Sequence, residues 1–395
     1  AQIPATDINA TGTASVIVSD PNSPPGTTSA QTVAIVPPSK DAVAFQINPA
    51  HTGAVTFNSV SFPSSAAWSV NVGGNPSYAL IMQDKVIVTV KLSDGSSQLL
   101  ALNQVTGSTV WGPIPIQGSA NATYDNGRVF VVNEPYPADA TLMAFDVATG
   151  ALDWTTTLNS YGAGPPTAAD GIIYVEQETG GVEAVAESSG APLWTGATDP
   201  GFGTAAVTED GVYIGMTCES YDLRPATGEV IWSYQINCSG GGPGTPVVAN
   251  QLDYSPDSEY VSGGDIFNAE TGVNVGTYVA GTPATFSQTM GYFLQSGTLR
   301  GVTLANNTVQ WSFSGDGELI GSPIMVNQYV LIGSSLGNVY ALDGTTGTQI
   351  WNVNLGTTIG GNSYELPFTG LAAGDGLLIV PSGTTVTAYT LSTNP

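Results

Sequence analysis

Carboxylates are the main side chains in this sequence that could do chemistry. The 395 residues include 31 Asp and Glu but six Lys and Arg, one His and two Cys. A single histidine, His51, excludes metal clusters built from several histidines, and two cysteines cannot form a four-cysteine zinc site. A Ser-His-Asp hydrolase would have to use His51, which is better explained as a structural residue.

The acids show no catalytic spacing. Glu134, Glu176 and Glu219 follow or precede predicted strands at one end of a repeated fold, but nothing in the sequence assigns them a role. Paired-carboxylate glycosidase chemistry stays open, because acids that are distant in sequence can meet in a fold. The segments at Asp94 and Asp316 do not match an EF-hand, so Ca²⁺ binding has no support.

The charge balance is strongly acidic. The formal net charge is −25 and the isoelectric point is near 4.1, which disfavours nucleic acid and anionic lipid as partners. No apolar run reaches the roughly 18–20 residues that a membrane helix needs. Only 9% of residues are charged, a composition that suits a secreted or cell-surface protein, and in acid many carboxylates would be protonated. Ala1 and Gln2 are the kind of start that cleavage behind a small residue leaves.

Cys218 and Cys238 form an isolated even pair. In a chain with a secreted composition this predicts one disulfide, and the alternative is two buried free thiols.

A repeat organises most of the chain. The stretch Ala341–Trp351 combines a short strand, a polar turn closed by glycine and the start of a strand that carries tryptophan. Related stretches end at five other tryptophans, and the seven tryptophans are Trp68, Trp111, Trp154, Trp194, Trp232, Trp311 and Trp351. A copy at Ile266–Gly276 keeps the glycine but lacks tryptophan. The period is about 40 residues, the size of a four-stranded propeller blade.

Each period predicts strands A to D from the inside outward. The A strands are predicted to begin near Ser77, Asn121, Pro166, Gly203, Thr245, Pro283, Ser322 and Leu366. The D strand at Ala66–Val72 has no A to C strands before it, and the last set has no D strand after it. Joining the two ends removes open sheet edges and closes an eight-bladed, all-β propeller.

The repeated residues predict joints between blades. Each tryptophan begins an outer strand, where its ring can bury about 150–250 Å² and its N–H can reach a carbonyl of the next blade. Six glycines suit left-handed positions in the preceding turns: Gly107, Gly150, Gly190, Gly228, Gly272 and Gly347.

The repeat and the lead-in Asn48–Gly53 resemble the tryptophan-docking family of pyrroloquinoline quinone (PQQ) alcohol dehydrogenases and their non-enzymatic relatives, over about residues 45–392. An enzymatic member would carry a Ca²⁺ site of Glu, Asn and Asp, a catalytic Asp, a basic residue over the quinone and often adjacent cysteines. Here Cys218 and Cys238 are not adjacent, and no basic residue lies in a matching motif. The resemblance therefore implies a non-enzymatic member without PQQ or Ca²⁺.

Three regions depart from the repeat. Residues 1–36 resemble the last hairpin of an Ig-like domain of bacterial surface proteins, and predict either packing on the main body or pairing with a neighbouring subunit. Residues 37–64 form the lead-in to the propeller at 65–395. In the fifth blade, Asp253–Tyr260 is predicted to replace a clean B strand, as a decayed repeat or a partner-binding loop.

These features predict a non-enzymatic secreted or cell-surface propeller that acts as a binding or assembly module. Its expected partners are other proteins or further copies of itself, joined through the N-terminal strands. A PQQ-dependent dehydrogenase and a carbohydrate-binding propeller are the alternatives.

Overall fold

The structure is a computed structural model of the chain. It describes the backbone of residues 12–16 and 31–35 and the residues 40–118, 120–179, 181–196, 198, 201, 203–216, 219–235, 243–256, 263–361 and 369–393. The chain divides into two compact units, Ala1–Lys40 and Asp41–Pro395. In the first unit, β1 (Gly12–Val16) and β2 (Gln31–Ile35) form an antiparallel hairpin, which confirms the predicted N-terminal hairpin.

The second unit is a ring of eight sheets, each antiparallel apart from one short parallel addition, and no helix occurs in the described ranges. It starts with β3 (Ala54–Val55) and β4 (Trp68–Asn71). Blades 1 and 2 are formed by β5 (Asn75–Pro76), β6 (Leu80–Met82), β7 (Lys85–Lys91), β8 (Ser97–Asn103) and β9 (Thr109–Ile116), then β10 (Ala122–Asp125), β11 (Arg128–Asn133), β12 (Thr141–Asp146) and β13 (Leu152–Thr157). Blades 3 and 4 are formed by β14 (Thr167–Ala169), β15 (Ile172–Gln177), β16 (Gly181–Ala186) and β17 (Pro192–Gly196), then β18 (Ala206–Val207), β19 (Val212–Met216), β20 (Glu219–Leu223), β21 (Val230–Gln235) and β22 (Pro243–Gly244).

The second half of the ring continues the pattern. Blades 5 and 6 are formed by β23 (Val247–Ala249), β24 (Leu252–Pro256), β25 (Gly264–Asn268) and β26 (Asn274–Tyr278), then β27 (Thr285–Phe286), β28 (Met290–Gln295), β29 (Thr298–Thr303) and β30 (Thr308–Phe313). Blades 7 and 8 are formed by β31 (Leu319–Val326), β32 (Tyr329–Ser334), β33 (Asn338–Asp343) and β34 (Gln349–Asn354), then β35 (Ala372–Gly374), β36 (Leu377–Ser382) and β37 (Thr385–Thr390).

Strands from both ends of the second unit close the ring. β37 pairs with β4, with Ala388 opposite Trp68 and Thr385 opposite Asn71. The eighth blade therefore takes its outer strand from the start of the propeller, which confirms the predicted closure. β37 then has a partner on each side, β36 and β4, so the closure removes two open sheet edges.

The turns between the inner strands follow from their residues. Asn126 and Gly127 both have positive φ, 43° and 87°, as a two-residue hairpin that matches strand twist requires. Asp170–Gly171 and Asp375–Gly376 repeat this geometry. Asp125 directly precedes the first of these turns and accepts a hydrogen bond from the Gly171 N–H at 3.0 Å.

Two details of the predicted strands are wrong. The inner strands of blades 2 to 6 begin one to three residues later than predicted, at Ala122, Thr167, Ala206, Val247 and Thr285. That of blade 7 begins earlier, at Leu319, and the predicted start at Leu366 lies outside the described residues. Asp253–Pro256 does not replace a B strand: it belongs to β24, a regular B strand paired with β25. Pro256 is tolerated because it ends the strand, beyond the last pairing with β23.

The core lies between the blades. Inner strands are covered on both faces, so they carry runs of apolar residues such as Val86–Val88, all fully buried. The largest apolar cluster joins blades 7, 8 and 1 around the closing sheet and includes Phe57 of the lead-in.

Candidate binding sites on the propeller

All seven tryptophans make the same hydrogen bond. Each indole N–H donates to a backbone carbonyl at 2.8–3.0 Å. In order along the chain the acceptors are Gln104, Val147, Glu187, Pro225, Ala269, Gly344 and Pro63. The first six lie in the turn of the next blade. For Trp351 the acceptor is Pro63, which leads into the outer strand of blade 8.

Each of the first six rings also lies against a glycine. A Cβ on Gly347 would be 2.6 Å from the Trp311 ring, and the same holds within 2.4–2.7 Å for the pairs Trp68–Gly107, Trp111–Gly150, Trp154–Gly190, Trp194–Gly228 and Trp232–Gly272. These glycines also have φ near 70°. The position therefore excludes a side chain twice, once through the backbone and once through the ring.

The joint between blades 5 and 6 lacks both partners. Gly276 occupies the tryptophan position of blade 5, and Asn307, with φ of 52°, occupies the glycine position of blade 6. Asparagine tolerates the left-handed region better than most residues. The paired change indicates that the ring is what demands glycine in the other blades, because without a ring a side chain is accommodated.

Aromatic residues from inner strands and from the outer strand β26 fill this interface instead. Tyr254, Tyr278, Phe286 and Phe293 pack together, with the rings of Tyr254 and Phe286 only 4.2 Å apart. This interface is therefore packed by an aromatic cluster and not by a docked tryptophan.

The lead-in is attached to the inner strands of most blades. Residues 42–55 run along these strands: Val43 O accepts from Tyr124 N–H, Pro49 O from Val207 N–H, and Ala50 O from Val248 N–H. Farther along, β3 pairs in parallel with β31 through Ala54 and Met325. The lead-in therefore links inner strands that are far apart in sequence.

His51 is a structural residue of the lead-in. It is fully buried, its Nδ1 lies 3.0 Å from the Pro246 carbonyl oxygen, and its ring packs edge-on against Phe45. Burial lowers the pKa of His51 to about 4, opposed by the bond to Pro246, so the ring is neutral and donates its Nδ1 proton. The residue holds the lead-in against blade 5.

Three glutamates that the sequence singled out lie near the other end of the blades. Glu176 is the most isolated: neither carboxylate oxygen has a hydrogen-bond partner among the described residues. Burial raises its pKa to about 8, and the Gly203 N–H opposes the shift without completing a hydrogen bond. Glu219 accepts from Tyr221 at 2.6 Å and from Gln235, and Glu134 accepts from the Ala163 N–H at 3.2 Å.

All three arginines contact acidic or amide side chains of the propeller. Arg128 pairs with Asp153 and Glu187 at 2.9 and 3.4 Å, Arg224 pairs with Glu229 at 3.6 Å, and Arg300 bonds to Gln295.

The described part of the chain has no group of three or more His, Cys, Asp or Glu that is arranged to hold a metal ion. It also has no helix that is long and apolar enough to cross a membrane. Cys218 and Cys238, the predicted disulfide, lie outside the described residues.

The outer strands expose aliphatic side chains around the ring. Seven blades each carry one that is 37–56% exposed: Val110, Leu193, Ile231, Val275 and Ile350 lie directly before the tryptophan position, and Leu152 and Val309 lie two residues before it. We call these seven residues the outer apolar ring. Blades 4 and 5 add Val230, Val273 and Val279, each more than 40% exposed. Sequence reasoning missed this feature, because an apolar residue beside a buried tryptophan reads as core.

A closed ring of eight four-stranded blades with tryptophan joints defines the class of PQQ-like repeat propellers. The family model described as outer membrane protein assembly factor BamB matches residues 95–262 and 272–393. The chain belongs to this family.

Two curated relatives match about half of the chain. Tetrathionate hydrolase of Acidithiobacillus ferrooxidans is 24% identical over 267 residues, covering 53% of this chain and 52% of that protein. BamB of Moranella endobia is 24% identical over 232 residues, covering 49% of this chain and 57% of that protein. The chain thus spans about half the length of these relatives.

Solved structures share the fold. BamB from Moraxella catarrhalis superposes with a TM-score of 0.64 at 18% identity, covering 83% of this chain and 99% of that one. A europium-containing methanol dehydrogenase superposes with a TM-score of 0.64 at 15% identity, covering 86% and 89%. The same scaffold therefore occurs in an assembly factor and in an enzyme, and the fold alone does not choose between them.

Proposed function

We propose that this chain is a non-enzymatic protein-binding and assembly module outside the cell or on its surface. The outer apolar ring carries the proposal. Exposed aliphatic residues recur on seven outer strands and are most concentrated on blades 4 and 5, and a concentration of exposed apolar side chains is typical of a protein-binding surface. Outer strands can also pair with a strand from another chain. The family supports it, because one relative is named for outer membrane protein assembly.

The arginines support the same conclusion. They are used in ion pairs or in a hydrogen bond to glutamine, which leaves none of them assigned to a quinone. A quinone dehydrogenase would further need a metal site, which no described group of residues supplies.

The proposal includes self-association through the hairpin β1–β2, by pairing with an outer strand of a second copy. The net charge of −25 opposes contact between copies near neutral pH, so association should strengthen as pH falls or salt rises.

Sedimentation velocity and electron microscopy of the full chain test the proposal. We expect ordered species larger than a monomer at pH 4–5. Thr32→Pro, which removes a backbone donor from β2, should weaken their formation, and so should Val275→Thr combined with Ile350→Thr. Glu318→Gln, an exposed acid that belongs neither to the hairpin nor to the outer apolar ring, is the matched control.

Enzymatic assay supplies the opposing outcome. The chain is incubated with PQQ and Ca²⁺ and tested for dye reduction with alcohols and sugars. A strictly monomeric chain under all conditions, or sustained turnover, would overturn the proposed function.

A further inference from the structure

One blade interface carries two buried acids where the repeat has apolar residues. Asp222 in β20 pairs with Trp232, the position filled by Ala101, Ala144, Ala184 and Ala341 in other blades. Asp253 in β24 occupies the position of Val86, Val129, Ile173, Val212 and Val330. The internal copies of the repeat show that neither acid is needed to build a blade.

The register makes the two acids face each other. Alanines equivalent to Asp222 lie on the same face as the docked tryptophan, which points to the next blade. The position of Asp253 is on the opposite face of its own strand, which points to the previous blade. Asp222 of blade 4 and Asp253 of blade 5 thus lie across one interface, and the charge of Asp222 contributes to the raised pKa of Asp253.

Neither acid is satisfied by the protein. Asp253 is 0% exposed and both of its oxygens lack a partner among the described residues. Asp222 is 2% exposed and its Oδ1 likewise has none. Burying a carboxyl group without a partner is costly, so such a pair persists where something offsets it.

A cavity opens at the same place. It has a volume of about 620 Å³ and reaches Asp222 from the face that carries the A–B and C–D turns. Its lining combines the acids Asp210, Asp222 and Glu270 with the amide side chains of Asn250, Gln251 and Asn268. Ile231 and Val248 provide apolar walls.

Gly211 makes room for this arrangement. A Cβ there would lie 2.2 Å from Asp222 Oδ1. Other blades carry side chains at this position, for example Lys85, Arg128 and Tyr329, each the first residue of the B strand. Three departures from the repeat therefore lie at one interface, and one of them, Asp222, lines the cavity.

We propose that this cavity binds a cationic alkylammonium or guanidinium group, with Asp222 as its principal carboxylate and Asp253 behind it. The cavity is larger than a bare ion needs, its acids are not arranged to hold a metal, and its aliphatic walls suit a carbon chain. The nearest basic residue, Arg224, is engaged with Glu229 at an exposed ion pair. The inference is independent of the proposed function.

Binding should be coupled to proton release. Burial raises the pKa of Asp222 to about 8, Asp210 raises it further, and the Val212 N–H and Arg224 oppose this shift. Burial and the charge of Asp222 raise the pKa of Asp253. Burial raises the pKa of Tyr213, and so do the charges of Asp222, Asp253 and Asp210. Glu270 is the remaining titratable group in the cavity lining. A bound cation favours both carboxylates in the charged form, so affinity should increase from pH 5 to pH 9.

Isothermal titration of the full chain with n-butylammonium chloride and with the capped peptide Val-Lys-Val tests the proposal, with n-butanol and the norleucine peptide as neutral controls. We expect dissociation constants of about 1 mM or tighter at pH 9, weakening at pH 5, and a heat that depends on the ionisation enthalpy of the buffer. Binding of both cations identifies a general amine site. Binding of the peptide alone assigns the source to a protein side chain, and binding of the amine alone assigns it to a small molecule.

Variants that restore the repeat residues separate binding from folding. Asp222→Ala and Asp253→Val should raise the melting temperature yet weaken cation binding at least about tenfold. Glu318→Gln, an exposed acid far along the ring, should leave both unchanged. The inference would be overturned if neither cation bound at pH 9, or if the two variants bound the cations as tightly as the unchanged chain does.

Discussion

Two neighbouring interfaces of the ring depart from the common joint in opposite ways. Between blades 5 and 6 the tryptophan is replaced by glycine, and four other aromatic rings pack the interface. Between blades 4 and 5 the joint of Trp232 is intact, but two acids replace apolar residues behind it. Lost apolar surface can be replaced by other apolar surface. Added carboxyl groups must be offset by hydrogen bonds, by protonation or by a cation, and the hydrogen bonds of these two acids are incomplete.

The largest expected effect compares the aromatic cluster with an ordinary joint. Phe286→Ala between blades 5 and 6 and Trp311→Ala between blades 6 and 7 should each lower the free energy of unfolding by about 3–5 kcal/mol, because each opens a cavity in a packed interface. Chemical denaturation measures both. If Phe286→Ala were nearly neutral, the cluster would not be holding blades 5 and 6 together.

The next effect tests the double requirement for glycine. Gly347→Ala should cost about 2–4 kcal/mol, since the new Cβ meets the Trp311 ring and the backbone has φ of 71°. Combining it with Trp311→Ala should recover part of this cost. Strict additivity of the two changes in denaturation would show that only the backbone demands glycine.

The acids give interface 4–5 a pH dependence that interface 5–6 lacks. Their pKa values are raised in the folded state, so the folded protein binds more protons and its stability falls as pH rises from about 4 towards 8. Asp253→Val should therefore raise the free energy of unfolding by about 1–3 kcal/mol at pH 8 and by less at pH 4. Phe286→Leu is the control from the other interface, with an effect of similar size at both pH values. An equal gain from Asp253→Val at both values would contradict the assignment of charge.

The smallest expected effect is at the turn without a ring. Asn307→Gly should change stability by no more than about 1 kcal/mol, as it relieves a left-handed asparagine and meets no tryptophan. Thermal melting with Gly347→Ala as reference resolves the difference. A large loss would assign Asn307 a packing role.

The sequence predicts features that are repeated or local. Tryptophan spacing defines the blades, turn residues such as Asn126–Gly127 define the hairpins, and counting strands at the two ends gives the closure. Each signal recurs, so errors at one copy are corrected by the others. Boundaries of short inner strands were less accurate, because both faces are buried and the apolar run has no sharp end.

The site could not be predicted in this way. Asp222 and Asp253 are 31 positions apart, and only the strand register shows that they face each other. The sequence predicts that Asp253–Tyr260 replaces a clean B strand, so it does not place Asp253 in a regular strand. The path of residues 42–55 depends on contacts with inner strands from the whole ring, which no local pattern encodes.

The lead-in also determines how the molecule would carry tension. A pull on the chain ahead of Asp41 acts first on the bonds of residues 42–55, which are spread over the inner strands of successive blades. The force would break these contacts one after another before it reached the pairing of β4 with β37. Under stretching, the lead-in is therefore expected to detach in several steps, each dissipating energy, while the ring stays closed.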